Sequence, residues 1–92
     1  MKNFDWSVEK NFILKKERNI TFEEIILAID KGDLVDIIMH PNQKNYPGQM
    51  LLFVKINNYI YTVPFIEDEN KYFLKTIYPD RLATQKYLGA EK

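Results

Sequence analysis

MLLFVKINNYIYTVPF, residues 50–65, is the stretch on which the fold turns. Two runs rich in β-branched and aromatic residues flank Asn57-Asn58. Such side chains suit strands, and asparagine tolerates the positive φ that both central positions of a type I′ turn require. The spacing predicts a two-residue hairpin, with 50–56 as one strand and 59–65 as its partner. A loop of that length sets the register. Ile56 then lies opposite Tyr59, Val54 opposite Tyr61, Leu52 opposite Val63 and Met50 opposite Phe65. One face of the hairpin is almost wholly apolar. The other carries Leu51, Phe53, Lys55, Ile60, Thr62 and Pro64; it is apolar too, with Lys55 and Thr62 meeting in its middle. Pro64 has no N–H, so its strand must end, bulge or face an edge there.

Working outward, LVDIIM (34–39) reads as a short strand before the hairpin. KYFLKTIY (71–78) reads as a fourth strand after the acidic turn 67–70, and Pro79 ends it. Upstream, 7–18 is helical: Ser7 can cap the start, Lys15, Lys16 and Arg18 suit the C-terminal dipole, and Asn19 can end it left-handed. Phe12, Ile13 and Trp6 offer that helix an apolar side. TFEE at 21–24 is a capping box with Ile20 as a staple. Phe22, Ile25, Ile26 and Ile29 follow at helical spacing, and Lys31-Gly32 stops this second helix. Asp80 can cap a last helix from Arg81 to about Leu88, ending at Gly89. The order is α-α-β-β-β-β-α. The expected architecture is α+β: two N-terminal helices, a four-stranded antiparallel sheet and a C-terminal helix, with the helices on one face. No repeat or linker interrupts the chain, so 1–92 is read as one domain.

Composition narrows the function classes. The absence of cysteine excludes disulfides and thiolate metal sites and suits a reducing compartment. A single histidine argues against a histidine-based metal centre. The charged N-terminus does not resemble a signal peptide, and no apolar run approaches the ~20 residues of a membrane span. An intracellular, cytoplasmic protein needing no cofactor is the expectation. Thirteen basic and thirteen acidic residues cancel, unlike a strongly basic nucleic-acid binder. The distribution is uneven, however. No carboxylate lies between Asp36 and Glu67, while His40, Lys44 and Lys55 do, and all six tyrosines fall between 46 and 87. Such a segment suits an anion-facing surface. A buried central hairpin would exclude carboxylates equally well.

The connector MHPNQKNYPGQ (39–49) holds the only histidine beside Pro41, Pro47 and Gly48. His40 can move a proton near neutral pH, or simply end a strand. Lys44 can meet a phosphate and Tyr46 can stack on a base, though exposed loop residues need no such role. Lys75, inside an apolar strand, must snorkel or face water. Arg81, at a strand-to-helix junction, can fork onto a phosphate; a solvated side chain or an ion pair with Asp80 or Glu67 is the alternative. Were His40, Lys55, Lys75 and Arg81 to converge, they would suit metal-independent RNA cleavage. There the 2′-hydroxyl is the nucleophile, and the protein supplies a base, a cation and an acid. No P-loop, dinucleotide fingerprint, H-E-x-x-H or G-x-S-x-G motif is present.

The run F-D-W-x-x-x-K at 4–10, followed by I-T-F-E-E at 20–24, resembles the opening of the BrnT toxins. I-Y-P-D-R-L-A-T (77–84), followed by Tyr87, resembles the R-x-A-T segment before their last helix. The likeness runs from Phe4 to about Tyr87. It implies a RelE-like fold and a type II toxin that cleaves RNA and slows growth. It also implies an antitoxin partner, typically a ribbon-helix-helix DNA-binding protein, forming a hetero-oligomer with the toxin. Arg81 matches the family arginine. The family's basic strand residue falls on Thr76, next to Lys75, and the histidine that many relatives carry on the central strand has no counterpart in TVPFIE (62–67). The resulting expectation is a ribonuclease in which His40 and Arg81 are catalytic and Lys44, Tyr46, Lys55 and Lys75 bind RNA. A non-catalytic protein- or RNA-binding module of the same fold is the alternative.

Overall fold

The computed structural model describes residues 3–89. In chain order these form β1 (Asn3–Trp6), α1 (Val8–Arg18), α2 (Phe22–Asp30), β2 (Leu34–Met39), β3 (Gln49–Ile56), β4 (Tyr59–Glu67), β5 (Lys71–Leu74), β6 (Tyr78–Pro79) and α3 (Arg81–Leu88). The class is α+β. The hairpin forms as its sequence dictates: Asn57 and Asn58 take φ of 52° and 64°, and all four expected pairs across β3 and β4 are present. Phe53, not Lys55, lies opposite Thr62.

The helix ends follow local chemistry. Ser7 accepts from the Lys10 amide, Thr21 from the Glu24 amide and Asp80 from the Ala83 amide. Asn19 and Gly89 both close their helices in the left-handed region. The capping box differs in one half: the Glu24 carboxylate accepts from the Thr21 hydroxyl. Asn11 of α1 also serves α2. Its Oδ1 accepts from the Phe22 amide and its Nδ2 donates to Glu23. That is why two short helices with a tight connection dock as a unit.

The sheet departs from expectation in three ways. It has six strands and is mixed, in the order β1-β5-β4-β3-β2, with β6 also on β4. β1 precedes the helices and pairs parallel to β5, tied by a Lys71–Asp5 ion pair of 3.0 Å. Trp6, expected on the first helix, instead ends β1 and stacks on Phe22 at 5.5 Å. The expected fourth strand is broken into β5 and β6. Pro64 explains the break. β4 runs through it, but its missing N–H faces the partner strand; the Lys75 amide donates to the Pro64 carbonyl, and regular pairing resumes only at Tyr78. Arg18 satisfies the Ile77 carbonyl inside the break, at 2.6 Å.

Helices cover both faces of the sheet, not one. α1 and α2 bury Leu14, Phe22 and Ile25 against Leu52, Val54, Val63, Phe65, Leu74 and Ile77. On the opposite face α3 brings Ala83 onto Leu51, Phe53 and Ile60. Alternation along β3 requires this, since 51–54 are all buried and a strand buried on both sides needs two covers. None of the described helices is long and apolar enough to cross a membrane.

Candidate functional site

The site is built where α3 crosses the second face. Asp80 holds the helix start. Its Oδ1 accepts from the Ala83 amide at 2.9 Å, and its Oδ2 accepts from the buried Thr62 hydroxyl at 2.7 Å. Thr84 donates to the Asp80 carbonyl and accepts from the Ile60 amide. At the other end the Tyr87 hydroxyl donates to Asp36 Oδ2 on β2 at 2.7 Å, and its ring packs on Phe53. The helix thus spans from β4 to edge strand β2, pinned at both ends.

Beside it lies an open groove of about 310 Å³. Ile38, Leu51, Phe53 and Pro41 wall one side; Leu82, Ala83, Lys86 and Tyr87 of α3 wall the other. His40, Tyr78 and Asp80 contribute its polar lining. Among its titratable groups, Tyr78 is held above the ordinary phenol range by burial and then by the Asp80 carboxylate. Tyr87 is raised too, first by its hydrogen bond to Asp36. Both phenols therefore stay neutral at neutral pH and cannot serve as bases.

His40 stacks on Tyr46, ring centroids 4.4 Å apart. Its Nδ1 accepts from the Asn42 amide at 3.0 Å. The neutral ring therefore carries its proton on Nε2, where it is a donor. Gln43 fastens the connector, donating to the carbonyls of His40 and Gln49 and accepting from the Gly48 amide. The Pro- and Gly-containing loop is a framed platform for the imidazole as well as a link between strands.

The other expected site residues are dispersed. Lys44 is exposed in the same loop. Arg81 is exposed between Asp80 and Leu82, which line the groove, but does not line it itself, and it makes no ion pair among the described residues. Lys75 is exposed at the break after β5. Lys55 lies on a separate groove of about 250 Å³ with Glu24, Lys31, Asp33 and Asn57. So His40 and Tyr46 meet, Lys44 shares their loop, Arg81 adjoins two lining residues in sequence, and Lys55 and Lys75 stand apart. The positive end of α3 is already satisfied by Asp80, which leaves Arg81 only its own guanidinium for an anion.

Sequence reasoning overlooked Lys86, Tyr78 and Tyr87. A signal for Lys86 exists: Leu82 and Lys86 are four apart, so on a helix they share a face that carries an apolar side chain beside an ammonium. The pairing of Tyr87 with Asp36 spans 51 residues and carries no local signal. Comparison with protein-family models, with curated proteins and with solved structures returned no match for this chain.

Proposed function

We propose that this chain is a metal-independent ribonuclease of the type II toxin class, RelE-like in fold, acting in the cytoplasm and restrained by a cognate antitoxin. The observation that carries this reading is the α3 groove: apolar and aromatic walls, an open imidazole donor and the Lys86 ammonium, with its lining carboxylate, Asp80, already hydrogen-bonded on both oxygens. Asp80 accepts from Thr62 and Ala83, and Asp36, outside the lining, accepts from Tyr87. Lys86 on the groove, and exposed Lys44 and Arg81 outside its lining, make no ion pair among the described residues, which leaves their charges open to phosphate. The BrnT-like segments at 4–24 and 77–87 support the same reading.

In this mechanism the 2′-hydroxyl attacks the adjacent phosphorus. A 2′-O–P bond forms, the P–O5′ bond breaks, and the products are a 2′,3′-cyclic phosphate and a 5′-hydroxyl. The 2′-hydroxyl proton passes to water. His40, as imidazolium, delivers its Nε2 proton to the departing 5′-oxygen. Protonated Nδ1 no longer accepts from Asn42, so the loop releases that contact during turnover. Arg81 and Lys86 offset the charge that develops on the phosphorane.

The test is inducible expression in bacteria together with incubation of the purified protein with RNA. Growth arrest and cleavage into 2′,3′-cyclic phosphate ends are expected, with both lost in folded His40→Ala and reduced at least tenfold in Arg81→Ala. No arrest and no cleavage would overturn the reading. A neighbouring open reading frame of antitoxin size is a further expected observation. Two features favour a second reading, a non-catalytic binding module: Arg81 lies outside the groove lining and TVPFIE lacks a histidine. That module would bind RNA or protein without cutting RNA.

A further inference from the structure

We propose that the α3 groove is a subsite for one unstacked nucleobase and its phosphate, with the base between the Phe53–Tyr87 wall and the His40–Tyr46 ring pair and the phosphate at Lys86. This rests on the RNA reading of the same site but makes a claim of its own: which part of the molecule holds a base. Four observations support it. At about 310 Å³ the groove is at the small end of ligand clefts, ~300–1,000 Å³, so it admits a single nucleotide unit and not a base stack. Its walls are apolar and aromatic, the lining that binds a base by its face. The His40 and Tyr46 rings are already stacked, 26° from parallel, so a base extends an existing stack without ordering new side chains.

The fourth observation is the polar inventory. His40 Nε2–H is a donor with no protein acceptor among the described residues. The Lys86 ammonium lies 5.2 Å over the Tyr87 ring and makes no ion pair among them. Both suit a ligand that brings acceptors and negative charge. Asp80, the lining carboxylate, has one donor on each oxygen, which blunts its repulsion of a phosphate. An acidic peptide meets the cations but has no flat face for the aromatic walls, so a nucleotide accounts for more of the lining.

The experiment uses the full chain, isotopically labelled, titrated with each of the four ribonucleoside 5′-monophosphates and separately with ribose 5-phosphate. Saturable shifts at His40, Ala83 and Lys86 are expected with at least one nucleotide. Ribose 5-phosphate should bind at least tenfold more weakly. Lys86→Ala should weaken nucleotide binding about tenfold. Leu82→Glu, at an exposed position, should abolish it while leaving the rest of the spectrum unchanged. Equal binding of ribose 5-phosphate, shifts confined to other surfaces, or indifference to Lys86→Ala would each overturn the subsite. So would the same residues shifting with a glutamate-rich peptide and not with nucleotides, which marks a protein-docking face. Base binding without RNA cleavage leaves the subsite standing and removes the ribonuclease reading; cleavage without binding here does the reverse.

Discussion

Asp80→Ala is the most informative single perturbation of this molecule. The substitution removes the N-cap of α3, worth about 1 kcal/mol. It also strips the Thr62 hydroxyl of its acceptor, and Thr62 is 0% exposed. A buried hydroxyl left unsatisfied costs about 1–3 kcal/mol. The expected loss is about 2–4 kcal/mol, out of about 5–14 kcal/mol available to a chain of this length. Asp80→Asn keeps the capping oxygen and presents an amide that Thr62 can accept from, so it should cost less than about 1 kcal/mol. Thr62→Val removes the buried hydroxyl first; Asp80→Ala in that background should then cost only the cap, about 1 kcal/mol. Urea unfolding followed by Trp6 fluorescence and circular dichroism measures all four members of the cycle. A coupling of about 1–3 kcal/mol is expected. Additivity within ~0.5 kcal/mol would show that the two side chains do not act together and that the α3 anchor has been misread.

Tyr87→Phe should lower stability at neutral pH by removing the bond to Asp36. Because folding raises the Tyr87 pKa, that bond's contribution is fully present below the unfolded value of 10.0 and is lost as pH rises through the folded value; the gap between wild type and variant should therefore narrow in alkali, measured by urea midpoints. Asn11→Ala should cost about 1–2 kcal/mol at pH 7, since it unbinds both the Phe22 amide and Glu23. Its hydrogen bond holds the Glu23 carboxyl below its ordinary 4.5, so the Glu23 share is present above that pH and should vanish as pH falls through the folded value. Asn58→Ala forces alanine to a φ of 64° and should cost about 1–2 kcal/mol by thermal unfolding, whereas Asn58→Gly should be tolerated.

The candidate site was half legible. His40, Lys44 and Tyr46 share one connector, so their neighbourhood is local and the sequence suffices to place them together. Arg81 could be placed at a helix start from Asp80 and Gly89, yet whether its guanidinium enters the groove depends on how α3 docks. Lys55 shares the acid-free segment with His40, which groups the two in sequence, but β3 carries it to the hairpin end and onto another groove.

Turns, caps and the hairpin register rest on interactions a few residues long, so they can be read from the chain alone. Asn57-Asn58, Thr21, Ser7, Asp80 and Gly89 all behave as their chemistry requires. Which strand β1 joins, and which face α3 covers, depend on packing between segments far apart in the chain. Asn3–Trp6 is too short for its period to distinguish a strand from a helix entry. Its place comes from docking Phe4 and Trp6 on the core and Asp5 on Lys71, 66 residues away. The two-sided cover of β3 follows from Leu51 and Phe53 needing burial as much as Leu52 and Val54. Among the described residues α3, held by Thr62 and Asp36 from distant strands, supplies that second cover, and the groove exists because it does.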